Sequence, residues 1–134
     1  MSNKIIDGKL ISSEIREKVK KFGDQLKSKT GKVPGLAVVL VGENPASRVY
    51  VRNKIEKTIE VGFNSIEHKL SEKVSENELI DLVDKLNNDE NVQGILVQLP
   101  LPEHVNSDKI LDRIKPEKDV DGFHANNVGK LWSG

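Results

Sequence analysis

Apolar residues along this chain fall into two kinds of run. From Asp7 to Ser28 they recur at spacings of three and four (Leu10, Ile11, Ile15, Val19, Phe22), with lysine, arginine and glutamate between them. That is the period of a helix with one apolar face, and Gly31 follows as its stop. The stretch from Pro34 to Gly42 is different: Leu36-Ala37-Val38-Val39-Leu40-Val41 is continuously apolar and bounded by glycine. Such a run predicts a strand buried on both faces, as in parallel sheets. Asn44-Pro45 opens a second helix, since asparagine caps well and proline suits the first helical position. This helix is expected to run to Glu60, with Gly62 as its stop. Phe63 to Leu70 alternates weakly and reads as a strand. Ser75 and Glu78 have capping-box spacing and open a helix carrying Leu79, Ile80, Leu82, Val83 and Leu86. Val92 to Gln98 is the second clear buried strand. It ends at Leu99-Pro100-Leu101-Pro102, where proline offers no N–H to a ladder. A short helix over Asp108 to Ile114, capped by Asn106 or Ser107, completes the order α-β-α-β-α-β-α; a loop over Pro116 to His124 follows, and Asn126 to Trp132 is the start of an unfinished element.

Strands alternating with helices predict an α/β fold: a three-layer α/β/α domain with a mostly parallel sheet covered on both faces. The 134 residues suit one domain. No capped element follows Leu131-Trp132-Ser133-Gly134, so the sequence reads as one domain excised from a longer protein. Lysine plus arginine total 21 and aspartate plus glutamate total 21. That balance argues against nucleic acid as a partner, which usually demands a basic excess. The chain has no cysteine, which removes disulfides, thiolate metal sites and cysteine nucleophiles together. No apolar run reaches the roughly 18 residues of a membrane span, and Met1 to Lys9 lacks a signal-peptide core. The expectation is a cytoplasmic domain without a membrane partner.

In open α/β sheets, ligands bind beyond the carboxyl ends of the strands. That rule selects three segments. After the first clear strand come Ser47, Tyr50 and Lys54. At about 100° per residue, with Ser47 at zero, Tyr50 falls at about 300° and Lys54 at about 340°. Lys54 thus borders the apolar stripe of Val51, Ile55, Thr58 and Ile59. Desolvation there disfavours an ammonium and favours an amine that takes up protons. On the wheel alone, a lysine whose stem lies on the stripe while its head reaches water is the simpler reading. Gln98, at the end of the most apolar strand, offers a neutral amide that donates and accepts. It either orients a lysine or ligand oxygen, or pairs with backbone at the strand end. Asp119 and Asp121, just before Gly122, suggest a tight turn that presents a carboxylate to paired N–H donors, or else an Asx turn. A calcium loop lacks its distal glutamate, and His68, His104 and His124 lie too far apart in sequence to suggest zinc. Gly42-Glu43-Asn44-Pro45 has neither a P-loop ending nor the three-glycine dinucleotide fingerprint.

Taken together, Tyr50-Val51-Arg52-Asn53-Lys54, then Gly94 to Pro102, then Pro116 to Phe123 resemble the bifunctional methylenetetrahydrofolate dehydrogenase/methenyltetrahydrofolate cyclohydrolase family. Ile6-Asp7-Gly8-Lys9 and Asn127-Val128-Gly129-Lys130-Leu131 are similar to it as well, so the likeness runs over nearly the whole chain. Thr58 stands where the family usually has alanine or cysteine, and Lys130 where it has arginine. The resemblance implies that residues 1–134 are the N-terminal catalytic domain of an enzyme of one-carbon metabolism. An NADP-binding Rossmann domain would follow outside this chain, and the intact enzyme would be a homodimer acting on tetrahydrofolate derivatives. It implies proton transfer by Lys54, tuning of Lys54 by Gln98, stacking of Tyr50 on the aminobenzoyl ring, and acceptance of pterin N–H donors by Asp121. Val51 and the backbone around Val97 and Leu99 would complete the substrate pocket. No cofactor-binding or metal-binding residue is expected in this chain, and no dehydrogenase activity from it alone. Two other readings stay open on sequence: the substrate domain of a shikimate-like or amino-acid-like dehydrogenase, and a non-enzymatic α/β interaction module.

Overall fold

The computed structural model describes residues 5–134. Met1 to Lys4, part of the segment read for a leader, lie outside the described residues. Helix α1 spans Gly8–Thr30. Asp7 starts it by accepting from the backbone N–H of Lys9 and Leu10, and Gly31 ends it in the left-handed region (φ 70°) that glycine adopts without strain. Strand β1 (Gly35–Val41) follows, then α2 (Pro45–Glu60), β2 (Asn64–Leu70), α3 (Glu76–Asn88), β3 (Gly94–Val97), α4 (Ser107–Arg113) and α5 (Ala125–Ser133). Asn44 caps α2 by accepting from Ser47 N–H, with Pro45 at the first turn. The Ser75–Glu78 box of α3 is reciprocal, each residue satisfying the other's backbone N–H.

The three strands form one parallel sheet in the order β2-β1-β3. Alternate residues of β1 serve opposite layers. Ala37, Val39 and Val41 pack with Leu79, Val83 and Leu86 of α3 and Ile110 of α4. Val38 and Leu40 pack with Leu96 and with Val51 of α2. Both faces are therefore covered, which is why β1 carries no polar alternation. Three differences from the sequence reading bear on the fold. β3 is shorter than Val92–Gln98, because Val92 N–H turns back to Asp89 O; Gln93 and Gln98 each add one bond to β1, to Gly35 O and Val39 O. Within the predicted Pro116–His124 loop, Pro116–Lys118 forms a 3-10 turn and Asp119 pairs in parallel with Ile95 of β3.

The third difference concerns α1. The period gives it one apolar face, yet none of its residues is buried, and Phe22 is 70% exposed. The layers are already closed by α2, α3 and α4. Helix α1 meets them through an Arg16–Glu60 ion pair at 3.4 Å and through Gly23, which lies against the Phe63 ring. Among the described residues, no helix is long and apolar enough to cross a membrane.

Candidate active site

The chain leaves the carboxyl end of β1 through Gly42 (φ 81°) and enters α2 at the Asn44 cap. That entry fixes the rotation of α2. Ser47, Val51 and Thr58 form its buried line, and Lys54 sits half-buried at the edge, as the helical wheel predicts. Its ammonium nitrogen donates to Gln98 Oε1 at 3.0 Å, joining residues 44 apart in sequence. Gln98 Nε2 in turn donates to Leu99 O at 2.9 Å. This second bond sets the amide's direction: a flipped amide would aim its own donors at the lysine. One turn along α2, Thr58 Oγ1 donates to Lys54 O at 2.7 Å. The Leu99–Pro100 peptide bond is cis.

Asp121 completes the group. Its surface is open to solvent on one side, yet the surrounding protein still disfavours charge. That burial pushes its carboxyl above the ordinary aspartate range; the attraction of Lys54 opposes the rise and the charge of Asp119 adds to it. Asp119 behaves oppositely. Burial disfavours its charge too, but donors from Asn127 and from the backbone of His124, Phe123 and Gly122 outweigh it and hold the carboxyl below its usual value. Tyr50, 60% exposed, stands one turn before Lys54 as an uncovered aromatic wall. Leu99 is half-buried beside Gln98.

The other sequence candidates are placed differently. Val51 and Val97 are each 1% exposed and belong to the core on opposite faces of the sheet, where they present almost no surface. The residues that sequence reasoning passed over are supports: Thr58, and Lys118, whose ammonium group donates to Leu86 O and Asp89 O at the end of α3. Gly94 is another, because a Cβ there would lie 2.7 Å from Val120 Cγ1. A glycine inside a strand is the signal that could have pointed to this close approach.

Two hollows flank α2. One of about 400 Å³ is largely apolar and lined by Leu36, Thr58, Phe63, Gly94 and Val120, at the amino ends of β1 and β3. The other, about 590 Å³, lies on the far flank, between Arg48, Arg52, Glu56, Glu67 and Lys69. Its size does not make it the better site: Arg48 is paired with Glu43 and Arg52 with Glu56. Among the described residues, no group of three or more histidine, aspartate or glutamate side chains could hold a metal ion. The convergence of an amine, a neutral amide and a carboxylate beside an aromatic ring suits a flat heterocycle that carries N–H donors and undergoes proton transfer.

Comparison with known proteins gives one answer. The family described as tetrahydrofolate dehydrogenase/cyclohydrolase, catalytic domain, matches residues 6–121. The bifunctional protein FolD 2 of Roseobacter denitrificans is 55% identical over 134 residues, covering 100% of this chain and 45% of that protein. The chain thus spans about half the length of the curated relatives it matches. The crystal structure of the Campylobacter jejuni bifunctional enzyme FolD superposes with a TM-score of 0.90 at 50% identity, over 93% of this chain and 44% of that one. The Trypanosoma brucei enzyme, solved with NADP cofactor and inhibitor, gives 0.91 at 34% identity over 95% and 43%.

Proposed function

The chain belongs to the tetrahydrofolate dehydrogenase/cyclohydrolase family, and from that membership we propose that it is the N-terminal, folate-binding catalytic domain of a bifunctional enzyme of one-carbon metabolism. The intact protein oxidises 5,10-methylenetetrahydrofolate to the methenyl form and hydrolyses that to 10-formyltetrahydrofolate. It acts as a cytoplasmic homodimer, and its products serve purine, methionine and histidine synthesis. The observation that carries this reading is the 3.0 Å bond from Lys54 to Gln98 with the Asp121 carboxylate in electrostatic reach. The named relatives are folate enzymes, which gives no support to a shikimate-like or amino-acid-like dehydrogenase.

Each residue has a part. Asp121 accepts the adjacent N–H donors of the pterin, where a carboxylate matches two donors with charge-assisted bonds. Tyr50 stacks on the aminobenzoyl ring. The methenyl bridge is a cationic, electrophilic carbon. Water adds to it and loses a proton to the Lys54 amine; Lys54 returns that proton to the ring nitrogen as its bond to the carbon breaks, and the hydroxyl releases its own proton to solvent as the formyl carbonyl forms. Gln98 keeps the amine aimed without adding charge beside a cationic substrate.

NADP would accept the hydride of the first reaction. The described residues do not fit it. The β1–α2 turn is the one that would cradle a pyrophosphate, but Pro45 has no N–H there and Ser47 N–H is already bound by Asn44. In this proposal the dinucleotide is held by the remainder of the intact enzyme.

The test is calorimetry on the chain with tetrahydrofolate, shikimate and amino acids, together with Lys54→Ala in the full-length protein. Tetrahydrofolate alone should bind, and the variant should lose cyclohydrolase activity by at least about 100-fold. Binding of shikimate instead, or a normal rate in the variant, would overturn the proposal.

A further inference from the structure

Two aspartates one residue apart stand at the site, but only one faces it unengaged. Asp119 Oδ1 accepts from Gly122 N–H at 3.1 Å, and its Oδ2 accepts from His124 N–H at 2.9 Å and Asn127 Nδ2 at 3.0 Å. The same Asn127 amide donates to Pro116 O at 2.8 Å, so it closes the loop on both sides. The Asp119 backbone is paired with Ile95 of β3, and its neighbour Lys118 is tied to the end of α3. Among the described residues, no hydrogen bond from the protein engages the Asp121 carboxylate.

Asp121 therefore hangs between fixed points. On one side Val120 lies against Gly94, close enough that any Cβ would displace it. On the other, Gly122 is held back to Asp119. We propose that Asp119 is a positioning residue: its carboxylate, closed by Asn127, seats the loop so that Asp121 faces Lys54 and Gln98. The inference rests on the folate reading of the site, in which Asp121 receives the pterin. It also makes α5, which carries Asn127, part of the support of the site.

The substitution Asp119→Asn removes one acceptor from an atom that faces two donors. Its effect on ligand binding should pass entirely through Asp121. The experiment is a double-mutant cycle, read by calorimetric titration of the chain with tetrahydrofolate and with p-aminobenzoylglutamate, which lacks the pterin. In the wild-type background Asp119→Asn should weaken tetrahydrofolate about tenfold; in the Asp121→Ala background it should cost less than about twofold. Binding of p-aminobenzoylglutamate should not change. Equal losses in both backgrounds, equal losses for both ligands, or no loss at all would overturn the proposal. An Asp121→Ala variant that binds tetrahydrofolate normally would instead sink the folate reading, and this inference with it. Should Asp119→Asn fail to fold by circular dichroism, Asn127→Ala carries the same cycle: it removes the side-chain donor alone and predicts a smaller loss with the same dependence on Asp121.

Discussion

Asp121 faces water on one side and still has its carboxyl pushed above the ordinary range by burial. In the proposed folate reading, pterin N–H donors bind the ionised form, so tetrahydrofolate affinity should fall as pH drops through that raised value, by about tenfold per pH unit below it. Calorimetry as a function of pH should show this fall in the wild type and a flat profile in Asp121→Asn; matching profiles would contradict the assignment. For folding, the two aspartates act in opposite directions. Asp119, held low, contributes stability that is present above the unfolded aspartate range and lost as pH falls through its folded value. Asp121, held high, opposes folding as pH rises from the unfolded value through its own. At this scale the sequence was partly legible. The helical wheel put Lys54 at the edge of the stripe, because that is set by local period. It did not join Lys54 to Gln98, because no local pattern records a contact across 44 positions; the family resemblance made that link. The different fates of Asp119 and Asp121 depend on which one meets donors from Asn127 and the turn, which their identical side chains do not reveal.

Elements were legible where their signal is local. The unbroken apolar run of β1, the Asn44-Pro45 start of α2 and the Ser75–Glu78 box are each satisfied within a few residues or by burial on two faces. What the local signal left unread shares one physical origin. The period of α1 predicts a helix but says nothing about what covers its face, and that face is largely exposed. The ends of β3 depend on bonds to β1 and to a turn, not on its apolar residues. Gly35 shows how tightly that end is built: it donates to Gln93 Oε1 at 2.7 Å, and a Cβ there would lie 2.1 Å from Asn91 O. Backbone cannot yield as a side chain can. Gly35→Ala should destabilise the chain by about 2 kcal/mol or more, read as a lowered denaturation midpoint. An unchanged midpoint would show that the β1 entrance and the turn before β3 are looser than described.

At the scale of the whole molecule, a central strand feeds two layers, and the turn after it aims α2 so that one flank carries chemistry. The larger hollow is on the other flank, where alternating arginine and glutamate neutralise one another. The larger hollow and the proposed site therefore lie in different places, and the site is proposed from the convergence of Lys54, Gln98 and Asp121. The most direct test is a ¹H–¹⁵N spectrum of the 134-residue chain titrated with tetrahydrofolate. Signals from Tyr50, Lys54, Gln98, Leu99 and Asp121 should shift together along a single binding curve, while those of Glu67 and Lys69 stay still. Shifts confined to Arg48, Arg52, Glu67 and Lys69 would place the ligand on the wrong side of α2 and contradict the account.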